Sequence, residues 1–140
     1  MTADEENFVI GIDPGMTTGL AVYGRMGALE TDYIRLNTPA IAKWVWQQHQ
    51  RYSKLGRVWI VIEDFIGSGP RTRGAIYTLK LIGALTFFCD WHKLQGQAQE
   101  PQRRKAYLKQ AKKALGVRGL KFNNHQMDAM AHAMSFYAGI

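Results

Sequence analysis

Residues 7–15 read NFVIGIDPG, in which an apolar run ends in the carboxylate of Asp13 and is followed at once by Pro14 and Gly15. Continuous apolar runs are typical of strands that are buried on both faces of a sheet, and a Pro-Gly pair forces a turn. The stretch therefore predicts a central strand with Asp13 at its carboxyl end.

A second stretch of the same kind, residues 58–63, reads VWIVIE and ends in Glu63. Open α/β sheets hold their ligands beyond the carboxyl ends of their strands. We therefore expect Asp13 and Glu63 to face a crevice at this edge. The alternative interpretation is that each acid simply begins a solvated turn.

The other elements complete a single α/β domain over residues 1–140, with a mixed sheet flanked by helices. Two further strands, joined through Gly24 and Gly27, make the first third an antiparallel three-strand meander. A polar stretch before Pro101 leaves room for one more short strand. The expected strands are 19–23 and 31–36, and the expected helices are 39–55, 74–93, 101–115 with Gly116 as the stop, and one from Asn123 or Asn124 to about Ala138.

A third acid lies in the last helix, where residues 125–134 read HQMDAMAHAM. At the helical repeat, His125, Asp128 and His132 fall on one stripe about 60° wide, while the other positions are mostly apolar or small. An unpaired buried charge is costly, so this stripe must face a polar pocket or solvent. We interpret it as a metal-facing edge.

The chemical type of the predicted ligands indicates which metal ion they would bind. Three carboxylates with one or two histidines, and without thiolates, suit Mg²⁺ or Mn²⁺ better than a structural zinc ion. Two such ions about 4 Å apart can activate a water molecule and stabilise the leaving 3′ oxygen of a phosphodiester. The acids therefore predict a hydrolytic centre without a covalent nucleophile.

Positive charge is concentrated in one segment of a chain whose net charge is +7. Between Pro101 and Lys121 there is no Asp or Glu, and such a stripe is typical of a protein that binds a polyanion. A solvated helix face is the alternative, and an acidic membrane surface is disfavoured because no matching apolar face is visible. The basic residues are Arg103, Arg104, Lys105, Lys109, Lys112, Lys113, Arg118 and Lys121.

Cys89 is the only cysteine, so the sequence offers neither a disulfide framework nor a CxxC zinc pattern. The first residues are acidic where a signal peptide would be basic, and no apolar run reaches the roughly 18 residues of a membrane span. We expect a soluble protein of the cytoplasm with no membrane partner.

Four motifs resemble those of RuvC-type Holliday junction resolvases, which have the RNase H-like fold. Residues 11–19, GIDPGMTTG, are similar to the first-strand signature, and Ile62-Glu63 to the second acidic strand. Residues 125–129, HQMDA, are similar to the last helix, and residues 101–105, PQRRK, to a Pro-x-x-x-Lys stretch. The four occur in family order between about Phe8 and Ala138.

The resemblance implies a structure-specific endodeoxyribonuclease that resolves four-way junctions or other branched DNA with two Mg²⁺ ions. It implies Asp13, Glu63, Asp128 and His125 as the metal-binding set, and Lys105 as a phosphate or transition-state contact. It further implies a homodimer, for which the helix over 74–93 is a candidate interface or else a plain core helix. The host would be a bacterium or a phage-infected cell.

The loop after Glu63 contains further candidate site residues. Family members stack an aromatic residue from this loop on DNA bases, and Phe65 is the nearest one here, although it could instead seal the core. Asp64 is an extra acid that could enter the metal shell, be solvated or pair with Arg71 or Arg73. We count Phe65, Arg71 and Arg73 with Arg103, Arg104, Lys105, Lys109, Lys112 and Lys113 as the predicted DNA-contacting residues.

Three other functions compete with this interpretation. A related RNase H-like nuclease that trims ribosomal RNA precursors would keep the same acids. Actin-like ATPases and sugar kinases also begin with an Asp-x-Gly turn, but they need a second lobe and have no reason for the basic segment. A DNA-binding module without catalysis would not need the full set of carboxylates.

Overall fold

The computed structural model describes residues 6–64 and 72–140. Among these residues, no helix combines the length and the apolar composition needed to cross a membrane. The strands are β1 (Glu6–Asp13), β2 (Thr17–Gly24), β3 (Gly27–Arg35), β4 (Gly56–Glu63) and β5 (Gln95–Gln99). The helices are α1 (Thr38–Ser53), α2 (Arg73–Trp91), a 3₁₀ helix (Pro101–Tyr107), α3 (Leu108–Val117) and α4 (Asn124–Ala138).

The five strands form one mixed sheet in the order β3-β2-β1-β4-β5. Strands β1, β2 and β3 pair antiparallel, whereas β4 is parallel to both β1 and β5. The predicted meander and mixed α/β sheet are therefore confirmed. The polar stretch before Pro101 does hold a strand, the edge strand β5.

The predicted end of the helix at Gly116 is wrong, because α3 continues to Val117. Gly119 adopts a φ of 68°, the left-handed conformation that glycine accepts without strain. Around it, the Leu120 N–H donates to the Leu115 carbonyl at 3.1 Å, as in a Schellman motif. The glycine that ends this helix is thus three positions later than the one that the sequence suggested.

The two faces of the sheet are covered by different helices. Ile10 and Ile12 of β1 belong to a core shared with α1 and α2, while Val9, on the other face, packs with Ala133 of α4. Because side chains alternate along a strand, Asp13 lies on the same face as Val9. The strand thereby directs its terminal carboxylate towards α4.

Helix α4 approaches the sheet very closely at Gly11 of β1 and Gly19 of β2. A Cβ atom at Gly11 would overlap the carbonyl oxygen of Ala129, and one at Gly19 would overlap that of His125. Any larger side chain at these two positions would push the helix away. The glycines therefore set the distance between the sheet and the helix that contains Asp128.

Polar contacts hold the first turn of α4 in place. The Gln126 N–H donates to the Asn123 side chain and the Asn123 N–H donates to Oε1 of Gln126, both at 2.9 Å, which is a capping box. Gln126 also donates through Nε2 to Oγ1 of Thr31 in β3 at 3.1 Å. The beginning of the helix is thus fixed to the sheet, one turn before Asp128.

We predict that Gly19→Ala lowers the free energy of unfolding by roughly 2 kcal/mol or more, because overpacking forces backbone shifts. The measurement is urea denaturation followed by circular dichroism. Gly116→Ala is the matched control: a Cβ there meets open space, and alanine in a helix is better than glycine by up to about 1 kcal/mol. Equal stabilities for the two variants would contradict the close approach of α4.

Candidate active site

Asp13 and Glu63 lie side by side at the carboxyl edge of the sheet. Strands β1 and β4 run parallel with Ile12 opposite Ile62, so the two acids that follow are neighbours. Their side chains are only 12% and 13% exposed. Two carboxylates that are this close and this buried repel each other unless a proton or a cation lies between them.

Helix α4 brings two further predicted ligands to the same place. Nδ1 of the half-exposed His125 lies 3.8 Å from Oδ2 of Asp13. Asp128, one turn further along α4, faces Glu63 closely enough for their charges to interact. The structure therefore brings together the four residues Asp13, Glu63, His125 and Asp128.

Arg104 enters this cluster from the 3₁₀ helix. Its Nη1 donates to Oε1 of Glu63, and its Nε lies 3.4 Å from Oδ1 of Asp128. We predicted Arg104 as a contact for DNA, but its guanidinium contacts the carboxylates. The adjacent Lys105 has an exposed side chain.

His132 lies on the inner side of the cluster and is fully buried. Its Nε2 is 3.4 Å from Oε1 of Glu63, and its Nδ1–H donates to Oε1 of Gln99 at 2.5 Å. Gln99 is the residue of β5 that pairs with Glu63 of β4. The imidazole therefore links the Glu63 carboxylate to the neighbouring strand.

The pKa values of the acids reflect their crowding. Burial, a hydrogen bond to Glu63 and the charges of Glu63 and Asp128 raise the pKa of Asp13 to about 9. Burial also acts to raise the pKa of Glu63, but the contacts from His132, Asp13 and Arg104 outweigh it and lower that pKa to about 2. These opposite shifts are what two crowded carboxylates show when they share one proton.

The donor set suits a divalent cation. Three carboxylates from β1, β4 and α4 are the hard oxygen ligands that Mg²⁺ prefers, and a cation between them would remove the repulsion that raises the pKa of Asp13. Within residues 6–64 and 72–140, however, no three His, Cys, Asp or Glu side chains have the geometry to hold a metal ion. The guanidinium of Arg104 lies between Glu63 and Asp128 instead.

Two predicted DNA contacts, Phe65 and Arg71, lie outside the described residues. Arg73 is exposed at the start of α2, beside a cleft of about 360 Å³ that Met16 and Tyr77 also line. Asp64 is exposed, and its N–H donates to the Gln99 carbonyl at 2.7 Å. The basic segment has exposed side chains at Arg103, Lys105, Lys109, Lys112 and Lys113.

The roles of two residues in the cluster could not be predicted from the sequence, and that of a third could be predicted only in part. Nothing in the sequence pattern distinguished Arg104 from the basic residues around it, and Gln99 is one of several glutamines in a polar stretch. His132 shares the helical stripe of Asp128, and its spacing of four residues from Asp128 is the signal for a partner of a metal ligand.

The chain has the RNase H-like fold, as the match of its mixed sheet and flanking helices to solved structures shows. Solved structures of Thermus thermophilus RuvC have the same fold. One, "T. thermophilus RuvC in complex with Holliday junction substrate", matches with a TM-score of 0.70 and 22% identity over 94% of each chain. Another T. thermophilus RuvC structure matches with a TM-score of 0.71 and 20% identity over 94% of this chain and 95% of that one.

Comparisons of the sequence itself found no relative. No protein-family model matches the chain, and no match was found among curated proteins. The likeness to RuvC therefore shows the fold, and the chemistry has to be argued from the site.

Proposed function

We propose that this protein is a Mg²⁺-dependent endonuclease that cuts branched DNA, with the four-way Holliday junction as its substrate. The observation that carries the proposal is the convergence of Asp13, Glu63 and Asp128 from three elements at one edge of the sheet. The fold adds support, since it is shared with a RuvC structure bound to a Holliday junction substrate. We also propose that residues 1–140 form a single domain.

Asp13, Glu63 and Asp128 would hold the metal, with His125 at the exposed side of the centre. Two Mg²⁺ ions bound there would supply an activated water and stabilise the leaving 3′ oxygen; Mn²⁺ suits the same ligands. His132, which is held by Gln99, lies 3.4 Å from the Glu63 carboxylate on its buried side. Asp13 and Glu63 are largely buried and His125 is half-exposed, so the phosphodiester would approach from the side of His125.

The exposed basic side chains offer a path for the DNA backbone. Lys109, Lys112 and Lys113 lie on the solvent side of α3, whereas Ala111 and Leu115 face the core. Each lysine that neutralises a phosphate releases a condensed counterion, which favours a long nucleic acid over a small ligand. Lys105, at the start of this surface, is proposed to contact the phosphate that is cut.

We further propose that a second copy of the chain binds to α2, because this helix has an apolar stripe opposite its buried side. The stripe consists of Ile76, Leu79, Gly83, Phe87 and Trp91, whose large side chains are 41–71% exposed. Such a row of exposed apolar side chains is typical of an interface. A Cβ at Gly83 would meet open space, so two helices could cross closely there about a two-fold axis.

A nuclease that trims ribosomal RNA precursors is the nearest alternative, since it would use the same carboxylates. The Pro-Gly pair after Asp13 and the stretch over residues 101–105 favour the junction resolvase. An actin-like ATPase fits less well, because the basic surface has no role in it. The cytoplasm of a bacterium or of a phage-infected cell is the location that we propose.

We predict that the purified protein cuts a synthetic four-way DNA junction in Mg²⁺ and that Asp13→Asn binds the junction without cutting it. The cleavage activity of Asp13→Asn should fall by more than the roughly 10–100-fold that is lost when an outer partner of a metal ligand is removed. Cleavage and binding are measured on gels with junction, linear duplex and structured RNA.

Asp32→Asn is the control for this experiment, because Asp32 is an exposed acid of β3. It should cut like the wild type. Cleavage by Asp13→Asn would contradict the metal centre. Binding to the junction no tighter than to linear duplex would remove the resolvase assignment while leaving the nuclease one, and a preference for RNA would favour the alternative.

We predict that the wild type sediments as a dimer in analytical ultracentrifugation and that Phe87→Glu sediments as a monomer, because the charge would be buried in the contact. Met26→Glu is the control, since Met26 is an equally exposed apolar residue, 73% exposed, in the turn between β2 and β3. This variant should remain a dimer. A wild-type monomer, or a Phe87→Glu dimer, would refute the α2 interface.

A further inference from the structure

Arg104 contacts two of the three carboxylates that the proposed function assigns to the metal. We propose that Arg104 competes with the metal: its guanidinium and the divalent cations bind the same carboxylate oxygens, and binding of one excludes the other. This inference rests on the proposed function, and it adds a residue that sets how tightly the centre binds its metal.

The geometry of the contact carries the proposal. Nη1 of Arg104 donates to Oε1 of Glu63, while Nε lies 3.4 Å from Oδ1 of Asp128. The guanidinium thus spans the carboxylates of β4 and α4. A third contact, from Nη1 to the Pro101 carbonyl at 3.3 Å, connects it to its own 3₁₀ helix.

The guanidinium and a metal cannot share these oxygens. Oε1 of Glu63 already faces Arg104 on one side and the buried His132 on another. A divalent cation bound to Oε1 would stand within a few ångströms of the Arg104 charge, and like charges at that distance repel strongly in a partly buried site. Since His132 is held by Gln99 in the core, Arg104 is the contact of Glu63 that can leave.

The surroundings of Arg104 allow it to leave. Its side chain is 27% exposed, and the 3₁₀ helix that holds it has weaker hydrogen-bond geometry than an α-helix. Its neighbours Arg103 and Lys105 are exposed. Once released, Arg104 would join this basic surface, so that metal binding would add one cation for the DNA phosphates.

The test is a titration with Mn²⁺ in isothermal calorimetry, comparing the wild type with Arg104→Gln and Arg103→Gln. Arg103→Gln is the matched control, because it removes the same charge from an exposed neighbour. We expect Arg104→Gln to bind Mn²⁺ roughly tenfold more tightly, which corresponds to the loss of one charge-assisted contact. Arg103→Gln should bind like the wild type.

A second readout follows Arg104 in the wild-type protein, in case Arg104→Gln does not fold. In a ¹⁵N spectrum of the arginine Nε–H groups, the Arg104 signal, identified by its loss in Arg104→Lys, should shift on titration with Mg²⁺. Equal or weaker Mn²⁺ binding by Arg104→Gln, or an Arg104 signal that stays unchanged at saturating Mg²⁺, would overturn the competition and leave the proposed function standing. If neither the wild type nor the variant binds Mn²⁺, the metal centre of the proposed function fails as well.

Discussion

Helix α4 lies so close to the sheet that Gly11 and Gly19 beneath it have no room for a Cβ atom. This close approach determines the geometry of the site, because it places Asp128 of the helix beside the acids that end β1 and β4. The capping box at Asn123 then fixes where the helix begins and hence which of its residues reach the edge. A helix a few ångströms further out would leave the strand-end acids without their third partner.

Bringing acids together creates the second constraint, which is electrostatic. Burial of Asp13, together with the neighbouring carboxylate of Glu63, raises the pKa of Asp13. Such a cluster needs positive charge, and Arg104 at the entrance supplies it, while the buried His132 lies 3.4 Å from Glu63 on the core side. The same need explains why a divalent cation is the fitting ligand, and why Arg104 and the cation are alternatives.

Much of this arrangement could be predicted from local patterns. The apolar runs that end in Asp13 and Glu63 identify two buried strands and their edge, and the helical repeat places Asp128 on one stripe with His125 and His132. The position of Arg104 could not be predicted, because it depends on how a 3₁₀ helix packs against α4, and no repeat of residues encodes that contact. Strand β5 is hard to predict for a similar reason, because its sequence has no apolar face. Its glutamines are stabilised by pairing with β4 and by one contact to His132.

We propose that Asp13, Glu63 and Asp128 together bind the cations for phosphodiester cleavage. Crystals grown with Mn²⁺ test it most directly, because the anomalous scattering of manganese locates each ion without reference to the protein. We expect anomalous peaks among these three carboxylates, with the Arg104 guanidinium moved away from Glu63. Manganese bound elsewhere, or no peak at this edge of the sheet at saturating Mn²⁺, would contradict it.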